Sequence, residues 1–228
     1  MCGRFTLIAD PELIQTTFLL DSVPDNITPR YNIAPTQSVL VRTNEGERRA
    51  EWMRWGLIPP WAKDASLGNK LINARAESLA DKPSFRNAFR KRRCLIFADG
   101  FYEWQKVGKD KRPIYIRVDD GAPFAMAGLW EVWKIPLTGE WVRSCTIVTT
   151  GANAFMHEYH HRMPVILDPM ASDAWLSPDD LPPEALTPYL EPYFDNDAMS
   201  AYEVSRLVNN PANDVPECIA PVTAGRLL

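Results

Sequence analysis

The 228-residue sequence contains no run of about 20 apolar residues, the length that a membrane-spanning helix needs. Its first residues lack the charged and apolar stretches of a secretory signal, so the chain is read as cytoplasmic with no membrane partner. Cysteine is sparse: Cys2, Cys94, Cys145 and Cys218 are scattered, with no CxxC pair. This excludes a disulfide framework and fits reduced intracellular thiols. Histidine is scarcer still, with His157, His160 and His161 crowded into one segment. Positive charge is not in excess either: 25 Lys and Arg stand against 29 Asp and Glu, a net charge of −4. A protein coated in basic surface is thereby excluded, while a local arginine groove remains compatible with the balance. No internal repeat is visible.

What is present is enough apolar material, 46% of residues, to bury one large core. A single domain over residues 2–228 is expected, with 209–228 too rich in Pro and Asn for regular structure and packed as a loop on the body. Asp10 can cap a helix that has Pro11 in its first turn and ends near Leu20. Runs rich in β-branched and aromatic residues predict strands at 38–43, 51–57, 93–104, 113–118, 123–133, 144–150 and 163–167. Helices are predicted near 83–90, 169–176, 184–190 and 198–206. Strands outnumber helices without alternating with them, which predicts an α+β fold with a largely antiparallel, curled or barrel-like β core.

Chemistry enters where polar residues interrupt apolar runs. The chain opens MCGRF, and removal of Met1 before a small residue would leave Cys2 with a free α-amine and a thiol on one residue. Their reference pKa values, about 7.7–8.0 and about 8.5, leave both partly deprotonated near neutrality. A buried structural thiol is the plainer alternative. In LINARAE, Asn73, Arg75 and Glu77 follow Leu71 and Ile72. In FADGFYEW, Asp99 and Glu103 sit among aromatics, where desolvation raises a carboxyl pKa and suits it to hold a proton; pairing of Glu103 with an arginine is the alternative. The segment MHEYHHRMPVIL spells HExxH from His157 to His161. Gly151 and Pro164 bracket it too closely for the long helix that a zinc site of that type needs, and no third ligand stands out, so no metal is expected. A histidine before Arg162 suits proton transfer beside an anion-binding arginine. The basic FRKRRC at 89–94 is either a solvated face or an extension of a groove.

Taken together, CGRF, YNIAPTQ at 31–37, WGLIPPWA at 55–62, INARAE at 72–77, ADGFYEW at 98–104 and HHRMPVIL at 160–167 resemble the SOS response-associated peptidase family of abasic-site processing proteins. The blocks fall in family order over most of residues 2–167, and YEVSRLVNN at 202–210 is similar to its C-terminal part. The resemblance implies a covalent link between Cys2 and the ring-opened aldehyde of an abasic site in single-stranded DNA, with single-to-double-strand junctions as a further partner. It implies catalytic roles for Cys2, Asn73, Glu103 and His160. Arg4, Arg75 and Arg162 would contact phosphates, and Pro35, Trp61 and Phe85 would line the strand or wedge against bases. No cofactor is implied. A monomer is expected, cytoplasmic and associated with the nucleoid on damaged DNA. His161 departs from the family pattern, which often has an acid there.

The implied chemistry suits these residues. An amine condenses with an aldehyde to an imine, and a thiol on the same residue closes a thiazolidine ring intramolecularly. The family name implies release of its own N-terminus; with only Met1 before Cys2, an aminopeptidase would suffice. Three other classes compete: an N-terminal-nucleophile cysteine peptidase built on Cys2, His160 and Glu103 or Asn73, a nucleic-acid binding module without chemistry, and, third, a zinc metalloprotease.

Overall fold

The computed structural model describes residues 2–222. Thirteen strands occur among them: β1 Phe5–Leu7, β2 Arg30–Ile33, β3 Ser38–Thr43, β4 Ala50–Trp55, β5 Asn73–Arg75, β6 Arg93–Ala98, β7 Gly100–Val107, β8 Asp110–Val118, β9 Phe124–Lys134, β10 Trp141–Gly151, β11 Arg162–Pro164, β12 Ile166–Leu167 and β13 Met199–Glu203. Four short α-helices accompany them: α1 Pro11–Thr17, α2 Arg86–Lys91, α3 Pro169–Trp175 and α4 Pro183–Leu186.

Five strands close on themselves. β3 pairs with β4 and β6, β6 with β9, β9 with β10, and β10 returns in parallel to β4. Closure removes free edges, and the apolar side chains that point inward fill the interior. Trp55, Trp130 and Ile147 are buried, as are Cys94 and Cys145. β5, β11 and β12 add to the barrel's margin. A second, open sheet runs β13-β8-β7-β1-β2. The expected α+β, largely antiparallel and barrel-like core is therefore the observed one.

The passage between the two sheets falls inside a single apolar run. The sequence reading has one strand over 93–104; the structure breaks it at Asp99, ending β6 in the barrel and starting β7 in the open sheet. The Asp99 carboxylate accepts from Thr6 Oγ1 at 2.5 Å, from Ala9 N at 2.8 Å and from Ile8 N. These donors fix the chain leaving β1 against the turn. Gly100 follows because a Cβ there would lie 2.2 Å from the Tyr115 hydroxyl.

Local signals near the ends of elements hold where the sequence carries a cap. Asp10 accepts from Leu13 N at 2.8 Å and Asp168 from Ala171 N at 2.7 Å, each ahead of a proline at the first helical turn. α1 stops at Thr17, short of the expected Leu20. The helix predicted over 198–206 is corrected: Met199–Glu203 is an edge strand, antiparallel to β8 with Met199 opposite Val118 and Glu203 opposite Ile114. A ladder to a preformed neighbour outweighs the helical leaning of Ala, Met and Glu.

Among the described residues, the C-terminal segment lies across the open sheet without forming a strand of its own. Asn32, fully buried in β2, donates to the carbonyls of Val208, Asn210 and Asn213 at 3.2, 3.1 and 2.6 Å. Asp214 accepts from the backbone of Tyr31 and Asn32 at 2.6 and 3.0 Å and pairs with Arg30. The expected irregular segment extends to residues 223–228, which lie outside the described residues. Among the described residues no helix is long and apolar enough to cross a membrane.

Candidate active site

The two sheets meet where β1 begins. Phe5 is opposite Phe101, and Tyr102 N–H donates to Arg4 O at 2.9 Å, so the chain before Phe5 runs alongside Glu103 on β7. Cys2 is fully buried there. From the barrel side, Asn73 heads β5, held by parallel pairing to Ile147 of β10. Its Nδ2 donates to Cys2 O at 2.8 Å, while its Oδ1 is buried without a hydrogen-bond partner among the described residues. His160 precedes β11, and its Nδ1 receives the Arg162 N–H at 3.0 Å. The same Nδ1 lies 3.1 Å from Arg162 O, so the Arg162 backbone orients the ring in either tautomer. Cys2, Asn73, Glu103 and His160 thus come from four segments far apart in the chain.

Burial sets the electrostatics. The Cys2 thiol is pushed up to about 12, first by its burial and then by the neighbouring Glu103 carboxylate, so it is neutral at pH 7. Burial likewise raises Glu103, only 3% exposed, above the usual carboxylate range. Half-burial lowers His160 below an ordinary histidine. The site therefore holds a thiol, a carboxyl disposed to keep its proton and an imidazole disposed to lose one, which suits general acid–base chemistry.

The residues expected to meet DNA divide into two kinds. Arg75 on β5 is exposed, Trp61 is 59% exposed, and Pro35 is half-buried in a turn whose Thr36 N–H donates to Trp55 O at 2.8 Å. The Trp61 turn is clamped by Trp133, whose Nε1–H donates to Ala62 O at 2.8 Å. Arg4 and Arg162 are instead engaged internally. Arg4 donates to Asn32 Oδ1 and Val208 O at 2.6 and 2.7 Å. Arg162 binds both oxygens of Glu77 at 2.5 and 3.0 Å and Thr149 O at 2.6 Å. Phe85 requires correction as a strand-lining residue: it is 2% exposed and packed in the core at the start of α2, where its ring belongs to the apolar interior.

In FRKRRC, Arg93 is fully buried and caps carbonyls of Trp175 and Phe89 at 2.7 and 3.2 Å, while Arg90 and Lys91 pair with Asp180. The run is thus an anchor more than a groove. His157 sits in a 3-10 turn, Met156–Glu158, and no group of three or more His, Cys, Asp or Glu able to hold a metal occurs among the described residues. Sequence reasoning left Glu77, Asn32 and Trp133 without roles. Glu77 and Asn32 stand inside quoted motif blocks, but their partners are Arg162 and the C-terminal segment, which no local spacing reveals.

A family model for the SOS response associated peptidase (SRAP) matches residues 1–211. The chain belongs to this family. It is 47% identical over 223 residues to the abasic site processing protein YoqW of Bacillus subtilis, covering 96% of this chain and 99% of that one. It is 31% identical over 229 residues to the abasic site processing protein HMCES of Gallus gallus, covering 86% and 67% respectively. Among solved structures it is similar to a protein from Bacteroides thetaiotaomicron, with a TM-score of 0.84 and 28% identity over 97% of this chain and all of that one. The SRAP match spans both sheets and every one of the site segments described above.

Proposed function

We propose that this SRAP protein processes abasic sites by trapping them covalently on Cys2. The observation that carries the reading is the convergence on Cys2 of Asn73, which holds its carbonyl, and of Glu103, whose charge acts on its thiol. Removal of Met1 creates the required amine and takes away the residue attached to it; Met1 lies outside the described residues. Either an aminopeptidase or the protein itself, as the family name suggests, would carry out this step.

The order of events follows from protonation. With the thiol held neutral, the α-amine attacks the aldehyde first and forms a carbinolamine. Glu103 in its protonated form supplies a proton to the departing hydroxyl, water leaves, and an imine results. The Cys2 sulfur then adds to the imine carbon, its proton passes to the nitrogen, and a thiazolidine ring closes. The balance is one water released per adduct. His160 serves the sugar hydroxyl or phosphate side. Arg75, with Arg4 and Arg162, is assigned to backbone phosphate, and Trp61 and Pro35 offer faces to bases without reading their identity.

Single-stranded DNA is the partner of this geometry, and a monomer acting in the cytoplasm on damaged nucleoid DNA is sufficient for it. The test is incubation of the purified, Met1-processed protein with a single-stranded abasic oligonucleotide. An adduct of the summed masses less one water, resistant to heat, supports the reading. Absence of the adduct from protein with a free Cys2 amine overturns it, and turnover of casein instead would point to a peptidase.

A further inference from the structure

Two histidines stand at the site, and only one has a role so far. The rings of His160 and His161 stack, with centroids 4.4 Å apart and planes 25° from parallel. His160 is half-buried and oriented by the Arg162 N–H; His161 is exposed on the outer face of the stack. Two imidazolium rings in that arrangement repel, so protonating one opposes protonating the other. The groups that face them extend the same bias. Arg162 and Arg75 approach from β11 and β5, while Glu103 on β7 opposes them with its carboxyl. Glu77 balances Arg162 through its two hydrogen bonds.

We propose that His161 is a positioning residue for the crosslinking site, stacked on His160 so that the two imidazoles hold one proton between them and present a donor and an acceptor at the same pH. Coupled groups of this kind titrate as a pair, in two steps that belong to neither ring alone. Both histidines lie below the ordinary value: His160 chiefly through burial, His161 chiefly through the charge of His160. The arrangement matches what the sugar side of the reaction asks for: opening the ring to the aldehyde needs an acceptor for the hydroxyl proton and a donor to the ring oxygen, while Glu103 expels the water. The charged ring passes its proton outward, the neutral ring takes one up, and the pair's total charge is unchanged.

The kinetic arm of this inference rests on the proposed crosslinking; the titration arm does not. The full chain labelled with 13C-histidine is titrated by NMR alongside His161→Phe, which keeps a stacking ring, and His161→Gln, which keeps polarity. In the parent, the His160 signal moves in two steps; in both variants it moves in one. Crosslinking of a single-stranded abasic oligonucleotide falls about 10-fold at pH 6 and only about 2-fold at pH 8 in the variants, as loss of an acid–base partner implies. Since His161 is exposed, thermal melting confirms that both variants fold. Superimposable His160 titrations in parent and variants overturn the inference, as do equal rate losses at the two pH values. A two-step titration in a protein that never crosslinks supports the shared proton and sinks the proposed function alone.

Discussion

Asp99 and Glu103 lie four residues apart in one aromatic run, both buried and both raised above the usual carboxylate range by desolvation, yet they belong to different regions and do different work. Asp99 sits at the seam between barrel and open sheet, where Thr6, Ile8 and Ala9 turn three donors onto it. Its charge is consumed in holding the chain's path. Glu103 lies one strand further into the open sheet, beside the reactive residue, where its charge acts on the Cys2 thiol. A buried carboxylate whose donors come from the strand end it anchors is architecture; one beside a nucleophile is chemistry.

Breaking the reactive region has the largest expected effect. Cys2→Ala removes the thiol, and no thiazolidine adduct forms; a heat-stable species of unchanged yield on denaturing gels would contradict this. Breaking the seam comes next. Gly100→Ala forces a methyl into the Tyr115 ring, and overpacking of this kind costs about 3 kcal/mol, which urea unfolding would show as a lower midpoint at unchanged slope.

Glu103→Gln sharpens the contrast because it separates activity from stability. Crosslinking slows about 100-fold through loss of a general acid, measured in single-turnover time courses. Stability moves the other way. A carboxyl whose folded pKa is raised binds more protons folded than unfolded, so the parent loses stability as pH rises from the ordinary carboxylate value through the raised one. Glu103→Gln abolishes that loss and melts higher than the parent above this window, and an identical pH dependence of melting in the two proteins would refute the assignment. The smallest effect is at the rim. Trp61→Ala weakens binding of an undamaged single strand by about 1–3 kcal/mol, the range for one base stacked on an aromatic ring, with melting unchanged because Trp61 is 59% exposed.

The same comparison explains what could be read in advance. Asp10 with Pro11, and the β-branched SVLVRT of β3, announce themselves locally, and the structure places both as read. The strands Phe5–Leu7, Arg30–Ile33 and Asn73–Arg75 are too short for any period to show, and the edge strand Met199–Glu203 reads as helix until β8 is beside it. Phe85, expected to line the strand or wedge against bases, is an interior ring because α2 starts against the core.

By itself the sequence determined which residue types are available: a residue with two nucleophilic atoms after Met1, an acid among aromatics, and histidines ahead of an arginine. It also determined that strands dominate, since alternation and β-branching are properties of neighbouring residues. Only the tertiary structure decided that Asn73 holds Cys2, that Arg162 answers to Glu77, and that one of two similar carboxylates faces the reaction. Those outcomes depend on closing a barrel and laying a second sheet against it, and contacts between segments about 70 to 100 residues apart leave no trace in local spacing.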